Sequence, residues 1–204
     1  MKRRIVYLIA CILLVSFASL GLSNLSSKVE AASNDSSIDS QLSDFAKDNG
    51  LTKVDPNLIP EDKMMNFNSV EDFEKFIQKD ESATLESSVV STTTSGLSFN
   101  VLSASSSSTK TYKTTEYNAT GKITAYARVT RKSSKKVSKV KIWSEQSGVI
   151  FGITYTPNDS ASYYKLNSSK TGGKAYAKGT KLYGANIGGQ SVGYIKHVTY
   201  TIKF

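Results

Sequence analysis

The sequence predicts a mainly β protein. An antiparallel β-sandwich or barrel fills residues 97–204, preceded by a signal peptide and a short acidic region with two small helices. Three observations carry this reading. From Gly121 onward, Ile123, Ala125, Ala127 and Val129 share one parity while Thr124, Tyr126, Arg128 and Thr130 take the other, the pattern of a strand with one buried and one wet face. Candidate strands then follow one another roughly every ten residues, a spacing typical of sandwiches and barrels. Ten of the eleven tyrosines and ten of the thirteen glycines lie after residue 98, and these residue types favour strands and tight turns respectively.

The chain of 204 residues suits one domain with accessory segments. Its start, Met1-Lys2-Arg3-Arg4, is cationic, and an almost unbroken apolar run extends from Ile5 to Leu22. Small residues then lead to Val29-Glu30-Ala31-Ala32. This is the layout of a signal peptide over residues 1–31, cleaved after Ala31 or Ala32, and it places the protein outside the cell, secreted or associated with the wall. The same run is just long enough to serve as an uncleaved anchor. Cys11, the only cysteine, lies inside the run. The preceding Leu8-Ile9-Ala10 resembles a lipoprotein box, but cleavage there would leave apolar sequence on the mature protein. Once the segment is removed, no thiol remains for a disulfide or a thiolate metal site. The segment and the Lys/Ser-rich chain resemble secretory proteins of Gram-positive bacteria.

Residues 32–80 form the acidic region. Over residues 32–97 there are 5 cations against 13 acids, a net of −8. Ala32 to Ser37 is polar and reads as irregular. Ile38, Leu42, Phe45 and Ala46 then recur at helical spacing, with Gly50 as a left-handed stop. Pro56 and Pro60 interrupt any regular element between Val54 and Met64. Ser69 caps a second helix, with Glu71 and Asp72 at its positive end and Val70, Phe73, Phe76 and Ile77 as its apolar stripe. Helices this short need a partner surface. The partner is either each other or the basic part of the chain, in which case residues 38–79 act as a cover or pro-segment. Residues 81–96, rich in Ser and Thr, read as a linker, and Leu97–Val101 as a short strand opening the β domain.

Residues 98–204 carry 17 cations against 3 acids, a net of +14. Expected strands are 110–117, 122–130, 138–144, 149–155, 162–166, 174–178, 191–196 and 198–204, with reversals at Asn118–Gly121, Pro157–Ser160 and Thr171–Gly173. Val149, Phe151, Ile153 and Tyr155 read as one face, and Val198, Tyr200, Ile202 and Phe204 as another, the last strand being paired inside the sheet. Gly179 to Gln190 reads as the least strand-like stretch. No helical period occurs after residue 97.

Chemistry is sparse in this sequence. His197 is the only histidine. There is no nucleophile elbow, no metal-ligand spacing and no phosphate-cradling glycine loop, so no cofactor is expected. Serines, His197 and Asp159 supply the residue types of a Ser-His-Asp arrangement, and Glu116 and Glu145 those of a paired-carboxylate glycosidase, but the two glutamates read as surface groups. What stands out is charge. Arg128, Arg131, Lys132, Lys135, Lys136, Lys139 and Lys141 form one cationic set around a loop. Lys165, Lys170, Lys174, Lys178 and Lys181 form a second, interleaved with Tyr163, Tyr164, Tyr176 and Tyr183, while Tyr126 lies within the first. Lysines along strands also guard exposed edges against pairing. As a binding surface, such cations gain affinity for a polyanion by releasing its counterions. The expectation is a secreted, non-catalytic β protein that binds an anionic cell-wall polymer, an anionic membrane surface or extracellular DNA. The alternative is a bacteriocin-like toxin made with an acidic pro-segment.

Overall fold

A computed structural model describes residues 27–90, 107–118 and 120–204, with side chains from residue 38 onward. The apolar run with Cys11 and the strand expected at Leu97–Val101 lie outside the described residues. The elements in order are α1 (Ser27–Asp48), β1 (Thr52–Val54), β2 (Met65–Phe67), α2 (Val70–Glu81), β3 (Leu85–Val90), β4 (Ser108–Asn118), β5 (Gly121–Arg131), β6 (Val137–Gly148), β7 (Ile153–Leu166), β8 (Gly173–Ile187) and β9 (Gln190–Lys203). They build two antiparallel sheets that face each other without closing into a barrel. One runs β3-β4-β5-β6. In the other, β1-β9-β8 is completed by β7 and β2, which pair with different lengths of β8. The short β2–β8 contact is parallel.

The helices form where the apolar spacing requires. Leu42, Phe45 and Ala46 of α1 are buried. Gly50, at φ 63°, closes the helix, with Leu51 N donating to Ala46 O at 2.8 Å and Gly50 N to Lys47 O, a left-handed cap that satisfies two end carbonyls. Residues 32–37, expected to be irregular, belong to α1. Ser69 Oγ accepts from Asp72 N at 3.2 Å and so caps α2. Val70, Phe73 and Ile77 of α2 are buried.

β8 and β9 are long because their inner face serves two partners. Ala175, Ala177, Tyr200 and Ile202 at one end lie in a core shared with Ile123, Ala125, Ala127 and Val129 of β5. At the other end Tyr183, Ala185, Ile187, Val192 and Tyr194 continue the same core towards Leu42, Phe73 and Ile77 of the helices, with the Phe73 and Tyr194 rings 6.0 Å apart. The acidic part also adds to the sheet directly, β1 against β9 and β2 against β8.

Several sequence expectations change. Pro157–Ser160 is not a reversal but part of a wide bulge in β7, where the register slips between Asn158 and Tyr163 opposite β8; an edge strand tolerates the proline. Gly179 to Ile187 is regular strand. Gly179 is there because the Tyr155 ring lies where a Cβ would project, and the turn is made by Gly188 and Gly189, at φ 58° and 92°. The expected strands at 191–196 and 198–204 are one strand, since the inner parity Val192, Tyr194, Lys196, Val198, Tyr200, Ile202 runs on past His197. Val149 and Phe151 are exposed and do not share the face of Ile153 and Tyr155, because Gly148 and Gly152 turn the chain with positive φ. The stretch read as linker contains β3, paired with β4 along its whole length. By contrast, the β5 face and the final strand keep the expected alternation, and Phe204 exchanges main-chain hydrogen bonds with Gly173 at 2.9 and 3.1 Å.

Candidate functional site

Two hairpin ends meet at one end of the molecule. The β5–β6 loop, residues 132–136, is tightened by Lys132 N to Lys136 O at 2.9 Å and Lys135 N to Lys132 O at 2.8 Å, with Lys135 at φ 61°. The β7–β8 turn is organised by Asn167, whose Oδ1 accepts from Thr171 N and Ser169 Oγ, each at 3.0 Å, with Lys170 at φ 58°. The two are tied together: Val137 N donates to Lys170 O at 2.8 Å, and Arg131 Nε donates to Thr171 O at 3.2 Å. Arg131 also donates to Tyr112 OH at 3.1 Å. Arg131, Lys132, Lys135, Lys136 and Lys170 therefore converge, although they come from the two cationic sets. Among the described residues none of these five has an ion-pair partner.

The outer face of the four-stranded sheet continues the positive field. Arg128 pairs in register with Lys141, and Tyr126 with Trp143. Those two rings stack at 4.9 Å. Arg128 and Lys141 lie over the Trp143 ring at 5.4 and 5.8 Å, close enough for cation–π attraction. Tyr126 OH donates to Glu145 at 2.9 Å, and partial burial, then that contact, pushes its phenol pKa up. Lys139, exposed, lies across from Thr130 at the cationic end of the same face.

On the outer face of the other sheet, Lys165 of β7 lies opposite Lys174 of β8, which lies opposite Lys203 of β9. Tyr163 stacks on Tyr176 at 4.7 Å, with Lys178 and Lys165 over the Tyr163 ring at 5.6 and 5.9 Å. Tyr164, next to Tyr163 on β7, is also exposed but pairs with Ala175 and takes the opposite parity, so it does not join this face.

Two members of the predicted set are not on the surface. Lys181 is 3% exposed and Tyr183 1%. Both point into the seam where the four-stranded sheet, α2 and the long strands meet. Lys181 Nζ donates to Asp80 Oδ2 at 2.7 Å and to Glu116 Oε1 at 2.6 Å. Tyr183 OH donates to Asp80 Oδ2 and Tyr200 OH to Glu116 Oε2, each at 2.8 Å. Glu116, expected at the surface, is thus buried, and a carboxylate at the end of α2 finds a reason that the helix dipole does not supply. Burial, reinforced by the neighbouring carboxylates, pushes both tyrosine pKa values far above the ordinary phenol. An ammonium hydrogen-bonded to two carboxylates is held as a charged anchor, and the geometry is that of a clamp between three layers.

Other candidate groups are dispersed. Glu145 sits on the outer face of the sheet whose inner face carries Glu116, as their partners Thr124 and Ile123 show, so the two are not a facing pair. His197 is exposed, with Nδ1 3.1 Å from Thr180 Oγ1. Among the described residues no group of three or more His, Cys, Asp or Glu is placed to hold a metal ion, and no helix is long and apolar enough to cross a membrane. Sequence reasoning missed Asp80, Tyr200 and Lys203. Lys203 was visible as an outer-parity lysine in the last strand, but its two lysine neighbours depend on pairing with β8 and β7. No protein-family model, curated protein or solved structure matches this chain.

Proposed function

We propose that this protein is a secreted, non-catalytic β protein that attaches to an anionic cell-wall polymer through its cationic end. The observation that carries the reading is the convergence of Arg131, Lys132, Lys135, Lys136 and Lys170, from two hairpins tied by main-chain hydrogen bonds, without neutralising acids. Arg128, Lys139 and Lys141, with Tyr126 and Trp143, extend the surface along one sheet, and Lys174 and Lys178, with Tyr163 and Tyr176, along the other. A linear polyanion laid across such a surface releases condensed counterions at each contact, which makes affinity fall steeply with salt. Secretion rests on the cationic start and apolar run of residues 1–31.

The toxin alternative has less support. Removing residues 32–80 as a pro-segment would take away β1, β2 and both helices, uncover Ile187, Val192 and Tyr194, and remove Asp80 from buried Lys181. The test of the main reading is sedimentation of the mature protein with purified Gram-positive walls, with anionic vesicles and with duplex DNA as comparators. Binding to walls is expected to drop by an order of magnitude or more between about 50 and 200 mM salt. The K132Q/K135Q/K136Q variant is expected to lose about two to three charge contacts from the salt slope at unchanged melting temperature. Wall binding indifferent to salt, or undiminished in the variant, overturns the reading. Preference for vesicles or DNA moves the partner to that class.

A further inference from the structure

We infer that Lys165, Lys174 and Lys203 form a seat for the phosphoryl group of a phosphate ester. The proposal deepens the polyanion reading by naming the chemistry of one contact, and it rests on that reading for its biological setting. The three lysines stand in consecutive register across β7, β8 and β9, on the outer face, and all three line one cleft of about 400 Å³. Like charges directly opposite one another on neighbouring strands are unfavourable. None of the three has an ion-pair partner among the described residues, so no acid there offsets the repulsion. A bound anion removes it.

The cleft also selects among anions. Three lysines and no arginine line it, which favours a compact, multiply charged tetrahedral group over the planar carboxylate that a guanidinium fork matches. Asn167 lines the same cleft. Its carboxamide oxygen is taken by the turn, which leaves the amide NH2 as a further neutral donor. The space exceeds that of a bare phosphate, and Leu166 and Tyr176 supply walls for the organic part of an ester. Tyr176 is held by its stack on Tyr163, and Lys165 is drawn over the Tyr163 ring.

The experiment is a melting and titration series on the mature protein with glycerol 3-phosphate, using sodium chloride at equal ionic strength as the control. Glycerol 3-phosphate is expected to raise the melting temperature beyond the chloride control. The K174Q variant, which removes the middle charge, is expected to melt higher than wild type by about 1–3 °C in chloride alone and to bind glycerol 3-phosphate about tenfold more weakly. No phosphate-specific stabilisation of wild type, or one that persists undiminished in K174Q, overturns the proposal. The K132Q/K135Q/K136Q variant separates the two readings: it is expected to keep the response to glycerol 3-phosphate while losing wall binding. Loss of that response in the loop variant would place the phosphoryl contact elsewhere and overturn the seat. If wild type fails to bind walls yet responds to glycerol 3-phosphate, the polymer reading fails and the seat stands. Competition by poly(glycerol phosphate) or by phosphatidylglycerol vesicles then identifies the source of the ester.

Discussion

Lys178 and Lys181 stand three residues apart on one strand and have opposite fates. Lys178 is on the even parity of β8 with Lys174 and Tyr176, faces outward, and lies over an aromatic ring. Lys181 is on the odd parity with Ala175, Ala177, Tyr183 and Ala185, faces inward, and holds two carboxylates. The difference is the two-residue period of a strand, and its energetic consequence is large. An outward lysine is solvated whether or not anything binds it. An inward lysine must be compensated in full, because an uncompensated charge in the interior costs several kcal/mol. The seam compensates with acids from two other layers, Asp80 and Glu116, and each acid is satisfied further by a tyrosine hydroxyl. A charge count over this region merges the two kinds of lysine; the sheet separates them.

The largest way to break this contrast is Lys181→Met. It leaves two buried carboxylates facing each other without a cation, and the expected loss is about 3–5 kcal/mol in urea unfolding. Neutralising the acids as well, in K181M/D80N/E116Q, is expected to recover part of that loss. A triple variant no more stable than K181M would show that the ion cluster is not what the methionine disrupts.

Taken per group and per pH unit, a smaller effect comes from pH. Tyr194, buried beside the helices, has its pKa pushed up to about 12, chiefly by burial; Tyr183 and Tyr200 in the seam are raised further by burial and by their carboxylates. The neutral phenol is the form the fold accepts. The contribution is therefore whole below the unfolded phenol value of about 10 and declines as pH rises above it, by about 1.4 kcal/mol per pH unit for each such group. Melting temperature is expected to fall between about pH 10 and 12, and Y194F is expected to flatten the slope by one proton. A melting temperature constant over that range would contradict the burial of these hydroxyls. The smallest effect is Lys178→Gln, expected to change stability by less than about 0.5 kcal/mol, because nothing inside the fold depends on that charge. A loss comparable to that of K181M would erase the distinction between the two lysines.

How much of this was legible depends on the distance a signal must travel along the chain. The β5 face, the α2 cap and stripe, and the Gly50 stop were readable because each is a pattern of a few residues with its own periodicity or backbone requirement. The buried place of Glu116 was readable in principle: a hairpin closing at Asn118 and Gly121 sets Glu116 opposite Ile123, on the apolar parity. The inward place of Lys181 was hidden because the strand reading stopped at Lys178, where glycines suggested a loop; Gly179 instead makes room for the Tyr155 ring. Asp80 carried no local sign at all, since its partner is 101 residues away.

The order of residues was enough to establish that the chain is mainly β after its acidic part, which faces of β5 and β9 are apolar, and that the two halves carry opposite net charge. Those are properties of composition and short-range alternation. It took the folded arrangement to bring Lys170 of the second cationic set to the loop of the first, to align three lysines across β7, β8 and β9, and to draw one lysine from the surface to join two acids. Each of these depends on strand register and on how layers stack, and a linear pattern does not state which strands become neighbours.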